Sequence, residues 1–189
     1  MADFFELLKK RRSVRLFEDQ GISTDLVLEI IQDSTWAPSS GNGQPWRFIV
    51  VNNREMIKRL SDESKANLLT YLEKNPQSSI RSYEAVLRNE HFNVFYNAPC
   101  LVLIVGPREV RSLYVDCALA AGYFMFSAAA RGLGVCWVDL GANIRNPETL
   151  QEIGLPEDYQ IVAPLIIGYP KVIPEPPARQ APNILKVLV

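Results

Sequence analysis

Arg11, Arg12, Ser13, Val14 and Arg15 put three guanidinium groups and a hydroxyl into five consecutive residues. Planar guanidinium forks match pairs of phosphate oxygens, so this turn suits an anion, a phosphate above all. A solvated basic turn uses the same residues, and the run alone does not separate the two. Downstream, Pro38, Ser39, Ser40, Gly41, Asn42, Gly43, Gln44, Pro45 and Trp46 set hydroxyls, amides and glycines between two prolines. Such a loop can hydrogen-bond a polyol or a heteroaromatic ring through side chains and closely approaching backbone. Its alternative is a tight polar connection, with Trp46 filling core.

The rest of the chain narrows what those groups can do. Its 189 residues, 48% hydrophobic and 22% charged, are enough for one domain with a sizeable core. Twenty basic and 21 acidic residues leave a net charge of -1, so no global field attracts nucleic acid or an anionic membrane. Cys100, Cys117 and Cys136 form no C-x-x-C pair, and the lone His91 gives no basis for a histidine-rich metal site or a Ser-His-Asp triad. Chemistry is therefore expected from a bound cofactor. The longest nearly continuous apolar stretch, 117–130, contains Gly122 and Ser127 and is shorter than the roughly 20 residues of a bilayer span. The polar N-terminus lacks a secretory core, and the expectation is a cytoplasmic protein with no membrane or nucleic-acid partner.

The elements that must position these residues follow from periodicity. Helical spacing covers 3–11, 24–36, 54–75 and 112–131, and Asn146 with Pro147 starts another helix over 147–153. Apolar runs at 48–51, 100–105, 135–138 and 161–167 read as strands. The loop 38–45 has too many breakers for a regular element. Residues 76–97 intersperse Tyr83, Phe92, Phe95 and Tyr96 with charges, as in a mobile helical lid. The helix 112–131 is apolar on nearly every side, so it is either enclosed by a second subunit or the central core helix of a monomer. Gly132 suits its C-cap. The segment 170–182 is proline-rich, and the tail is extended, ending in an apolar 184–189 that could dock on another surface or subunit.

In this order, the segments resemble the nitroreductase family of FMN-dependent oxidoreductases. That family combines an Arg-x-Ser-x-Arg/Lys turn with a Pro-Ser-x-x-x-x-Gln-Pro-Trp loop, here residues 11–15 and 38–46. Gly132-Leu133-Gly134 before a strand, Gly168-Tyr169-Pro170 after one, and a late Arg179 also fall in its order. The resemblance covers nearly the whole chain. It implies a single α+β domain over 1–189, with a central mainly antiparallel sheet flanked by helices, forming a homodimer around the long buried helix.

The resemblance also implies roles. Arg11, Arg12 and Ser13, with Arg179, hold the FMN phosphate and ribityl chain, and Arg15 reaches the pyrimidine edge, where a cation stabilises the charge of the reduced ring. The loop, through Pro38, Ser39, Ser40, Asn42 and Gln44, approaches the flavin from the other subunit. Backbone N–H groups of Arg131, Gly132, Leu133 and Gly134 face flavin N5 and O4. Arg131 stands where relatives often carry an acidic residue, and their additional lysine has no counterpart. The implied reaction is ping-pong: NADH or NADPH delivers hydride to N5, then an electron-poor acceptor such as a nitroaromatic or quinone is reduced on the same face. No side chain need be catalytic. The absence of a G-x-G-x-x-G fingerprint agrees with a nicotinamide that docks only transiently. Tyr83, Phe92, Phe95 and Tyr96 are secondary candidates for the acceptor cavity, and His91 is left out as a surface residue. The rival readings are a dehalogenating or flavin-fragmenting relative and a non-catalytic flavin-binding module.

Overall fold

The expected strands pair into one four-stranded sheet in the computed structural model, which describes residues 3–189. The strands are β1 (Arg47–Val51), β2 (Cys100–Pro107), β3 (Gly134–Trp137) and β4 (Tyr159–Gly168), in the order β1-β2-β4-β3, with every neighbouring pair antiparallel. The two central strands outrun their apolar runs because the ladder continues to the Pro107–Tyr159 pair.

Period-two alternation divides β2 between two cores. Cys100, Val102 and Ile104 join the layer containing α2 (Thr24–Ser34) and α5 (Leu113–Ala130). Leu101, Leu103 and Val105 face the layer of α3 (Arg54–Lys74), with Ile57, Leu60, Leu68 and Leu72. Both faces of β2 are covered, which is why its sequence is continuously apolar. Asn53 accepts from Met56 N–H to start α3, and Asn146 caps α6 (Pro147–Glu152), with proline in its first turn.

α5 is long and apolar enough to cross a membrane by length and composition, yet it packs Cys117, Ala120, Ala121, Phe124 and Ala128 into the core. Its own chain does not surround it. Val115, Leu119 and Tyr123, one turn apart, form an open apolar stripe with Tyr114 beside them. Of the two readings of this helix, a monomer's core helix enclosed by its own chain is the one the open stripe disfavours.

Residues 76–97 also differ from a loose cover. A 3₁₀ turn, Ser79–Tyr83, runs into α4 (Glu84–Leu87), and Leu87, Val94 and Phe95 are fully packed. The Lys65 ammonium, buried in α3, donates to the Asn89 and Phe92 carbonyls at 2.9 and 2.8 Å and ties the segment down. Phe95 is therefore core, and a Cβ on Gly141 would meet its ring at 2.2 Å. The loop 38–46 contains one tight turn, Ser40–Asn42, where no regular element was expected, and Trp46 is buried in the core. The chain beyond 170 is extended and exposed.

Candidate functional site

The basic turn begins where α1 (Phe4–Lys10) ends. It runs along the open edge of β3, Ser13 bridging Val135 and the Val14 N–H donating to the Val135 carbonyl at 3.1 Å. Gly134 makes this approach possible, since a Cβ there would lie 2.7–3.0 Å from Val14. Burying Val14 turns its neighbours toward the surface. Arg11, Arg12 and Ser13 are half-buried and Arg15 is exposed.

The Arg11 guanidinium lies within electrostatic reach of two others. It is held below its ordinary pKa by burial first, then by repulsion from Arg12 and Arg179. Arg179, in the exposed tail, is close enough for Arg11 to feel its charge. Arg12 donates to the Arg11 and Lys9 carbonyls, and its Nε is the one buried side-chain polar atom among the described residues without a partner. Clustered cations and an orphaned donor fit an anion whose oxygens would satisfy both.

Arg15 marks the other end of the site. Its guanidinium lies over the Tyr96 ring, 5.7 Å from the centroid, a cation–π contact that holds it without neutralising it. A cavity of about 520 Å³ opens beside it, lined by Tyr83, Tyr96, Cys136, Trp137, Asp139 and Leu140 among others. Burial pushes the Cys136 thiol up, opposed by Arg15, Ser13 and Arg11, so these groups converge on β3. Of the four aromatic candidates, Tyr83 and Tyr96 line this cavity, whereas Phe92 lines a different one near His91.

The segment 131–134 serves other ends. The Gly132 N–H donates to Ala129 and the Leu133 N–H to Ala128, both at 3.0 Å, and Gly132 has φ +75°. This is a Schellman cap on α5, and it consumes the N–H groups of Gly132 and Leu133 expected to face a ligand. The Arg131 guanidinium is engaged with Asp33 at 2.7 Å and with Ser127, joining α2 to α5. Hydrogen bonding from Ser127 and then the Arg131 interactions hold the Asp33 carboxyl below its ordinary pKa, against the opposing effect of burial.

The loop 38–44 lies elsewhere. The Ser40 N–H donates to Asp116 in the first turn of α5 at 3.0 Å, whereas Val14 packs on Gly134 beyond that helix's last turn. At 1.5 Å per residue, the two ends of the 18-residue α5 are about 25 Å apart. One chain therefore does not bring Ser39, Ser40, Asn42 and Gln44 to Arg11, Ser13 and Arg15. Sequence reasoning missed Asp116, although a lone acid in an apolar helix was a visible signal. It also missed Cys136 and Asp139, which only tertiary contacts bring beside Arg15.

Fold and site together define an α+β domain with a cationic sheet edge and an adjoining cavity. The nitroreductase family model matches residues 8–169, and the chain belongs to that family. An Archaeoglobus fulgidus protein with the provisional name NADH dehydrogenase/NAD(P)H nitroreductase is 27% identical over 176 residues, covering 90% of this chain and 87% of that protein. Iodotyrosine deiodinase 1 of Sus scrofa is 23% identical over 199 residues, covering 97% of this chain and 68% of that protein. Among solved structures, a nitroreductase with bound FMN from Bacteroides fragilis superposes with a TM-score of 0.83 at 24% identity, covering both chains fully.

Proposed function

We propose that two copies of this chain form a homodimer with two shared FMN sites, and that the dimer is an NAD(P)H-dependent oxidoreductase acting on electron-poor acceptors such as nitroaromatics or quinones. The observation that carries this reading is the separation of the two ligand-binding segments along α5. An antiparallel partner helix, packed on the stripe of Val115, Leu119 and Tyr123, would set the loop of one copy beside the basic turn of the other.

Arg11, Arg12, Ser13 and Arg179 would grip the phosphate, and the orphaned Nε of Arg12 would gain an acceptor. Arg15, braced on Tyr96, would supply positive charge at the pyrimidine edge. Pro38, Ser39, Ser40, Asn42 and Gln44 of the partner subunit would close the site. Gly134 contributes by seating Val14. Bound FMN would supply the hydride chemistry, accepting from NADH or NADPH and passing electrons to the acceptor. The half-buried aromatic and polar wall beside Arg15 would orient the acceptor and limit water.

A second reading, reductive dehalogenation, is supported by the likeness to iodotyrosine deiodinase over nearly the whole chain. The test is to purify the protein, identify flavin released on denaturation, and follow bleaching of the bound flavin by NADH or NADPH. Reoxidation by a nitro compound or quinone supports the reductase. Reoxidation only by a halogenated phenol supports dehalogenation, and no bleaching by either nucleotide overturns both in favour of a flavin-binding module.

A further inference from the structure

Asp116 is the only charged residue in α5 and is 2% exposed. A carboxylate in that setting is tolerated only when its oxygens are hydrogen-bonded. Here Oδ1 accepts the Ser40 N–H at 3.0 Å and Oδ2 accepts the Ser112 hydroxyl at 2.7 Å. The first bond spans 76 residues and is the only long-range hydrogen bond to residues 38–44 among the described residues.

That bond lands where the backbone most needs holding. Gly41, Asn42 and Gln44 have φ of +55°, +56° and +45°, so two side-chain-bearing residues adopt the left-handed conformation. Such residues persist only when their surroundings fix them. Internal bonds from the Gln44 N–H to Ser39 Oγ and from Gln44 Nε2 to Asn42 Oδ1 set the local shape. They do not locate the loop on the body of the protein. A charged acceptor makes the stronger bond to the Ser40 N–H, which explains a carboxylate where the helix is otherwise apolar.

We propose that Asp116 is a positioning residue for FMN: its buried carboxylate clamps the Ser40 N–H and keeps Ser39, Ser40, Asn42 and Gln44 in the shape that meets the flavin held by the other copy. The assignment rests on the FMN reading above. Two quantities test it, amide hydrogen exchange at residues 40–44 in flavin-free protein and FMN affinity by fluorescence quenching. They are compared for the unaltered protein, Asp116→Ala, Asp116→Asn and Ser112→Ala.

Asp116→Ala should raise loop exchange and the FMN Kd by about tenfold or more, the range expected for a lost charge-assisted bond. Asp116→Asn, which can still accept from Ser40, should fall between Asp116→Ala and the unaltered protein. Ser112→Ala loses only the Oδ2 bond and should bind FMN within about twofold of the unaltered protein. Unchanged exchange in both Asp116 variants, or equal losses in Ser112→Ala and Asp116→Ala, would overturn the proposal. If Asp116→Ala does not fold, Asp116→Asn must still exceed Ser112→Ala in loop exchange. If the unaltered protein takes up no FMN, the functional reading fails, while the exchange measurements still decide whether Asp116 holds the loop.

Discussion

Replacing Gly134 with alanine should dislodge the basic turn from the sheet edge. The new Cβ would lie 2.7 and 3.0 Å from the Val14 methyls and 2.8 Å from Val14 Cβ. Carbon atoms settle at roughly 3.5–4.0 Å, and Val14 Cβ cannot rotate away, so the backbone of residues 11–15 must shift. That shift loosens the 3.1 Å bond from the Val14 N–H to Val135. Overpacking of this kind costs about 1–3 kcal/mol, and at this chain length each kcal/mol lowers Tm by roughly 2–4 °C. A fall of about 2–12 °C in the flavin-free protein is expected. Because Arg11, Arg12, Ser13 and Arg15 ride on the displaced segment, FMN affinity should also drop at least about tenfold, or about 1.4 kcal/mol. Thermal unfolding and FMN titration of Gly134→Ala, Val14→Ala and the double variant measure both effects. Val14→Ala removes the two methyls but keeps Cβ, so the double variant should recover part of each loss relative to Gly134→Ala. A Gly134→Ala protein with unaltered Tm and FMN affinity would refute the reasoning.

Leu119→Arg should place a charge in the open stripe of α5, giving a monomer by light scattering that has also lost FMN; a dimer that retains flavin would count against the shared site. Asp33 has a folded pKa below its ordinary 3.8, so its stabilisation is present above that value and is lost as pH falls through the folded pKa. The Asp33 side chain is 43% exposed, which limits the effect to a few tenths of a kcal/mol. In stepped-pH urea unfolding, Asp33→Asn should show a shallower loss of stability below about pH 4, and parallel curves would contradict the assignment. Burial pushes the Cys100 and Cys117 thiols up to about 12, so the native protein should resist a disulfide-exchange reagent at neutral pH and react fully once unfolded; rapid native labelling at either site would disprove that burial.

The long helices were legible from apolar spacing and the strands from continuous apolar runs, which in β2 reflect burial of both faces. The basic turn was legible from residue type alone. Its company with Arg179 was legible only through the family resemblance, because nothing local specifies how an extended tail approaches the turn. Gly132 was readable as a helix cap, whereas the approach of Val14 that Gly134 permits depends on strand-edge contact. α5 was readable as apolar nearly all round, but composition does not reveal which side the chain leaves open. Residues 76–97 resisted reading because charged residues there lie between side chains that are fully buried, Leu87, Val94 and Phe95. The single turn at Ser40–Asn42 depends on left-handed backbone at Gly41 and Asn42, and Gln44 just beyond it is left-handed against its residue type.

Complementation between defective subunits tests the shared site most directly. One variant carries Arg11→Ala and Ser13→Ala in the basic turn, and the other carries Ser39→Ala and Asn42→Ala in the loop. Each folded variant alone should bind FMN weakly. Mixed dimers should regain a single tight site, built from the intact turn of one subunit and the intact loop of the other. Mixed dimers that form but recover no tight FMN binding would contradict the account.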